Sequence, residues 1–207
     1  DPLFTKVAQI FYEEQEKLFG KSRYYGGDPF HEGGNSEGIN ITEAASDIYK
    51  AMKANNPDAI WVLQGWGTNP SYSLLKGLKH GEALILDLMS CARPQWGGEP
   101  SSQSHREGGY LDHNWIWCAL PNFGGRIGMY GKLHSYATGV IKAEHHPKGK
   151  YVCGVGTTPE GIGTNPIDYD MVYDMAWRTD SIDVKNWIAN YTTYRYGSSN
   201  NNSKAAM

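Results

Sequence analysis

Glu32 lies in Asp28-Pro29-Phe30-His31-Glu32-Gly33-Gly34, and Glu160 lies in Gly156-Thr157-Thr158-Pro159-Glu160-Gly161. Each follows an apolar, aromatic or β-branched stretch that reads as a strand. Each is flanked by the Pro and Gly that end a strand and open a loop. The C-terminal lip of a strand is where α/β barrels place catalytic groups. Two carboxylates there have the chemistry of the acid and nucleophile of a glycoside hydrolase. Most glutamates sit on surface loops; the repeated frame sets these two apart.

The remaining candidates are weighed against bland alternatives. The chain has 7 Trp and 14 Tyr against 5 Phe. Rings with both a flat face and a polar tip suit a pyranose, whose axial C–H groups meet a π face. Trp61 and Trp115 come early in their strands and read as core. Trp66 and Trp117 come later and are balanced between core and sugar contact. Asn122, before Phe-Gly-Gly, shapes a turn or lines a site. Asp87 is a site residue or a loop cap. His145-His146-Pro147 lacks a third nearby ligand and reads as a solvated loop, so no metal is expected. Glu13, Glu14 and Glu16 read as the solvated face of a helix.

The elements that must position these groups follow from periodicity. Residues 1–19 read as a helix stopped by Gly20, and 36–55 as a second. The runs 59–66, 83–88, 115–120 and 151–155 read as strands, with Tyr24-Tyr25 leading to the first glutamate. A short helix is expected around 74–78, a long loop at 93–109, and helices at 167–177 and 184–196. Strands alternating with helices predict βαβ units around a parallel sheet. The fold class is therefore α/β: a partial (β/α)8 TIM-type barrel, its C-terminal strands and helices, running into the start of an all-α domain. The expected organisation is barrel over 1–180, the first helix of an α-helical domain over 181–196 and a flexible tail over 197–207. An open α/β sheet is the alternative. No GxGxxG follows any strand, and no cofactor is expected.

A length of 207 residues suffices for one sizeable core. A net charge of −3 gives no electrostatic footprint for nucleic acid or an anionic membrane. No apolar run approaches a transmembrane span. The three cysteines, Cys91, Cys118 and Cys153, form no CxxC pair, and an odd count argues against a disulfide framework. Asp1-Pro2-Leu3 is no signal peptide, so any export signal would lie outside this sequence.

Taken in order, the strand ends carry a resemblance. Asp28-Pro29-Phe30-His31-Glu32, Leu63-Gln64-Gly65-Trp66, Leu86-Asp87-Leu88, Trp117-Cys118-Ala119-Leu120-Pro121-Asn122-Phe123-Gly124-Gly125, Pro159-Glu160-Gly161-Ile162 and Ala176-Trp177-Arg178 together resemble the α-N-acetylglucosaminidase family of glycoside hydrolases. The similarity runs to about Arg195. It implies a small N-terminal domain, a (β/α)8 barrel and an all-α domain, of which this chain resembles the second part of the barrel. It implies Glu32 as general acid/base and Glu160 as nucleophile, with Trp66, Trp117 and Asn122 lining the sugar site; His31, beside Glu32, is a further substrate-binding candidate because its ring can hydrogen-bond a sugar hydroxyl. The chain departs from the family pattern at His31, where Asn is usual, at Pro121, where His is usual, and at Asp174, where Glu is usual. These departures bear on contacts to the sugar's 2-substituent.

The implied reaction removes a terminal α-linked N-acetylglucosamine with retention of configuration. In an α-linkage the 2-acetamido group lies cis to the leaving group and cannot attack the anomeric carbon. The enzyme must then supply its own nucleophile, so a second carboxylate is required. The expected separation of the two carboxyl groups is about 5–5.5 Å. The implied partners are a glycan with terminal α-N-acetylglucosamine and the missing N-terminal part of the same enzyme. The implied location is exported: periplasmic, cell-surface or extracellular in a bacterium, lysosomal in a eukaryote. The alternatives are a non-catalytic carbohydrate-binding or structural fragment, and a retaining glycosidase of different sugar specificity.

Overall fold

A computed structural model describes residues 2–31, 35–97, 106, 108–124, 132–198 and 201–202. Five strands form one sheet: β1 (Tyr24–Gly26), β2 (Ile60–Gly65), β3 (Ala83–Asp87), β4 (Asn114–Ala119) and β5 (Val152–Thr157). Every pairing is parallel, and the spatial order is β1-β2-β3-β4-β5. That order separates the two fold classes left open by periodicity. A doubly wound open sheet reverses its strand order at a switch point. Here the order never reverses, as in consecutive strands of a (β/α)8 barrel.

Register divides the side chains into two faces. Leu63, Ile85 and Trp115 lie in one row, and Gly65, Asp87 and Trp117 in the next on the same face. All six are buried, and the large apolar ones join the main core. The alternate rows, Val62–Leu84–Asn114 and Gln64–Leu86–Ile116, are only half-buried or exposed. The buried face is the one covered by helices; the other is the concave face that fills the centre of a barrel.

The helices are α1 (Pro2–Phe19), α2 (Ile41–Asn55), α3 (Tyr72–Leu75), α4 (Leu133–His145), α5 (Pro166–Met175) and α6 (Val184–Tyr196). Local chemistry sets their ends. Asn40, Asn165 and Asp183 accept backbone N–H groups at the starts of α2, α5 and α6. Gly197 closes α6 in the left-handed conformation, at φ 75°. Tyr49 and Met52 of α2, Tyr136, Ala137 and Val140 of α4, and Met171, Val172 and Met175 of α5 complete the core.

Three features differ from the periodicity reading. The second helix, expected over 36–55, starts at Ile41, where the Asn40 side chain caps it. Helix α4 was not expected from it. In α1, Val7, Phe11, Leu18 and Phe19 face outward, although Tyr12 packs edge-on against Tyr25 at 5.3 Å. Asp174, one of the departures from the family pattern, ties two helices together. Its Oδ2 accepts from Arg178 Nε at 2.9 Å and from Trp187 Nε1 of α6 at 2.7 Å.

Candidate active site

Glu160 sits in the loop just past the C-terminal end of β5. Three anchors hold that loop to neighbouring strand ends. Thr158 N–H donates to the Ala119 carbonyl at 2.9 Å. The Thr158 hydroxyl donates to the Leu88 carbonyl at 2.8 Å. Glu160 N–H donates to the Asn122 carbonyl at 3.0 Å. The carboxylate itself is exposed, and its Oε2 accepts from Gly124 N–H at 2.6 Å. A charge-assisted bond to a backbone donor aims a carboxylate without a second flexible side chain.

Asn122 is 1% exposed. Its Nδ2 donates to the Gly163 carbonyl at 2.9 Å, and its Oδ1 is buried with no partner among the described residues. With the backbone bond from Glu160, the residue grips its loop at two points, 160 and 163. Its side chain thus acts on the position of Glu160 in this structure.

A second cluster forms over β1 and β2. Gly27 accepts from Trp61 Nε1 at 2.7 Å, and Asp28 Oδ1 accepts from Gln64 N–H at 2.8 Å. These bonds fix the loop after β1 to β2, one near its start and one near its end. Phe30 then takes φ 63°, the left-handed region that a bulky side chain rarely enters. Such backbone strain concentrates at functional sites. His31 follows, its ring edge-on to Trp66 at 5.2 Å and 79°. Both are half-buried, and His31 Nε2 has no partner among the described residues. Glu32 lies outside the described residues.

Trp117 is placed elsewhere than its expected role requires. It is 1% exposed, on the helix side of β4, with its ring edge-on to Tyr136 of α4 at 6.4 Å. A Cβ added at Gly139 of α4 would come within 2.7 Å of that ring. Trp117 is therefore a core residue, because side chains two apart on a strand share a face and Trp115 already faces the helices. The same parity, legible in the sequence, could have assigned it.

Asp87 also faces the helices and is fully buried. Its Oδ2 accepts from the backbone N–H groups of Gln95 and Trp96 at 2.9 and 3.1 Å, so it caps the following loop. Burial pushes its carboxyl up to about 6, against the pull of those two donors. His145 and His146 serve their own backbone: His145 Nδ1 meets the Ile141 carbonyl, and His146 Nδ1 accepts from Lys148 N–H. A cleft between His113, Trp115, Lys148 and Tyr151 lies beside the start of β4 and contains none of the expected site residues.

Two rim clusters, His31 with Trp66 and Asn122 with Glu160, thus stand at the C-terminal ends of strands in one parallel sheet. A profile described as the α-N-acetylglucosaminidase (NAGLU) TIM-barrel domain matches residues 1–179. The chain belongs to that family. Human α-N-acetylglucosaminidase is 32% identical over 218 residues, a match that covers 100% of this chain and 28% of that protein. A family 89 glycoside hydrolase from Clostridium perfringens, solved in complex with PUGNAc, superposes with a TM-score of 0.87 at 39% identity. The family 89 enzyme of the same organism, carrying two Glu-to-Gln substitutions and in complex with its substrate GlcNAc-α-1,4-galactose, superposes with a TM-score of 0.88 at 38% identity. Each of these two matches covers 100% of this chain and 22% of the other. The chain thus spans about a quarter of the length of its α-N-acetylglucosaminidase relatives. Among the described residues no helix is long and apolar enough to cross a membrane.

Proposed function

We propose that this chain supplies the two catalytic carboxylates of an exo-acting retaining α-N-acetylglucosaminidase. The carrying observation is the posture of Glu160: at the lip of β5, exposed, and aimed by the Gly124 amide. Family membership supports the sugar class. The Clostridium relative with two glutamates changed to glutamine and its substrate bound supports a mechanism that runs on a glutamate pair.

In this reading Glu160 attacks the anomeric carbon from the face opposite the leaving oxygen. Glu32 protonates that oxygen, then takes a proton from the water that releases the sugar. A retaining mechanism requires the two carboxyl groups about 5–5.5 Å apart, which leaves no room for a water between nucleophile and sugar. Trp66 offers a flat face to the sugar, His31 offers a polar contact, and Asn122 lines the site from behind, holding the loop that carries Glu160. The substrate is a glycan ending in α-linked N-acetylglucosamine. The remaining barrel strands come from the N-terminal part of the same enzyme, residues 181–196 open its helical domain, and the enzyme is exported.

The test uses the full-length enzyme and an aryl α-N-acetylglucosaminide. Glu160→Gln and Glu32→Gln should each abolish turnover with folding intact. Azide should restore turnover to Glu160→Ala by acting as an external nucleophile, giving an azide adduct. Wild-type rates in both Gln variants would sink the assignment. The open concave face favours one competing reading, a sugar-binding piece without turnover. Sugar binding by a full-length wild type that never hydrolyses the substrate would establish it.

A further inference from the structure

Trp66 sits at the first position of a tight turn, not within the sheet. Asn69 N–H closes the turn on the Trp66 carbonyl at 3.0 Å. The two residues between them, Gly67 and Thr68, are exposed, and their carbonyls nonetheless take donors from elsewhere in the chain. Both donors come from the loop between β3 and β4. Gln95 Nε2 donates to the Gly67 carbonyl at 2.7 Å. Arg106 Nη1 reaches the Thr68 carbonyl at 3.5 Å.

Gln95 is 1% exposed, and its backbone is fixed by the bond from its N–H to Asp87 Oδ2. A buried carboxylate at the end of β3 therefore holds the residue that holds the Trp66 turn. The neighbouring strand makes room for this arrangement. A Cβ at Gly65 would lie 2.8 Å from the Tyr110 hydroxyl, so only a glycine at the end of β2 admits that ring over the strand.

We infer that Asp87 and Gln95 form a strut that sets the posture of Trp66, and through it the affinity for the terminal sugar. This rests on the reading of Trp66 as a sugar-contacting ring. Neither strut residue touches substrate; both are positioning residues. Burial fits the role. Asp87 is fully buried and its Oδ2 accepts from both loop amides, so losing them leaves the carboxylate uncompensated.

The strut is tested in the full-length enzyme with Gln95→Met, which keeps volume and removes the donor to Gly67. Two readouts are taken: steady-state kinetics on an aryl α-N-acetylglucosaminide, and the indole N–H resonance of Trp66, assigned by its loss in Trp66→Phe. One lost buried hydrogen bond predicts a KM rise of about tenfold, with kcat changed by less than about threefold and a shifted Trp66 resonance. Asp87→Asn keeps one acceptor oxygen, which can take the place of Oδ2 towards both loop amides but without the charge, and should give a smaller KM rise in the same direction. An unmoved Trp66 resonance overturns the strut. A moved resonance with an unchanged KM overturns its link to affinity. A wild type that folds, shows the Trp66 resonance and does not turn over the substrate instead overturns the functional reading, and the resonance alone then decides the strut.

Discussion

At the scale of single residues, the site rests on short polar contacts between loops. Asn122 is the most exacting of these, because its amide is buried and grips the Gly163 carbonyl. Asn122→Ala should cost about 1–3 kcal/mol in transition-state stabilisation, roughly a tenfold to hundredfold loss in kcat/KM, by leaving that carbonyl unpaired. Assay of the variant against wild type at equal folded fraction checks this. Asp87 adds a pH dependence whose sign is fixed. Its folded carboxyl titrates near 6 against an ordinary 3.8, so the folded protein holds that proton more tightly than the unfolded chain. Its contribution to stability is full below pH about 4 and is lost as pH rises through about 6, on the order of 3 kcal/mol. Asp168, also raised to about 6 by burial, slopes the same way. Thermal melts of wild type and Asp87→Asn between pH 4 and 7 should show a shallower decline in the variant. Sequence and structure met unevenly here. The frame around Glu160 pointed to a strand lip, and the carboxylate is there. The Gly124 amide that aims it had no signal in the sequence, since a backbone donor leaves no mark on residue type. Trp117 was legible by parity with Trp115, but closeness to the strand end outweighed it.

At the scale of elements, the strands were the clearest feature of the sequence and α4 the least clear. Buried parallel strands read as continuous apolar runs, and 83–88 and 115–120 fall within a residue of β3 and β4. The buried face of α4 is Tyr136, Ala137, Val140, Ile141 and Ala143, with Gly139 in the middle. Small residues and a central glycine weaken both the periodic signal and the intrinsic helix preference. The structure supplies the reason for that glycine: the Trp117 ring occupies the space a side chain would need. Gly139→Ala would gain up to about 1 kcal/mol in helix propensity. Overpacking against Trp117 costs about 1–3 kcal/mol, so the net change should be destabilising. Urea unfolding of the variant measures it. At α6, Asp183 accepts from Asn186 N–H at 2.7 Å, and Asp183→Ala should lower stability by about 1 kcal/mol through loss of that cap.

At the scale of the whole molecule, the sheet has two edges and one open face. Among the described residues β1 pairs only with β2, and β5 only with β4. Unpaired edges and half-buried apolar side chains such as Val62, Leu84 and Ile116 are surfaces that a complete barrel covers. Expressed by itself, the 207-residue chain should bind a dye of exposed apolar surface and show no turnover. The same residues within the full-length enzyme should do the reverse. Dye fluorescence and activity on matched samples decide it.

The strand order also bears on how such a sheet is made. Each strand pairs with the one synthesised just before it, so the growing chain always meets a finished template. No pairing has to wait for a strand still to be translated. Assembly of these five strands can therefore keep pace with the ribosome, in one direction, from β1 towards β5. A ribosome stalled in any connecting loop would leave a narrower sheet, never one with a gap in its middle.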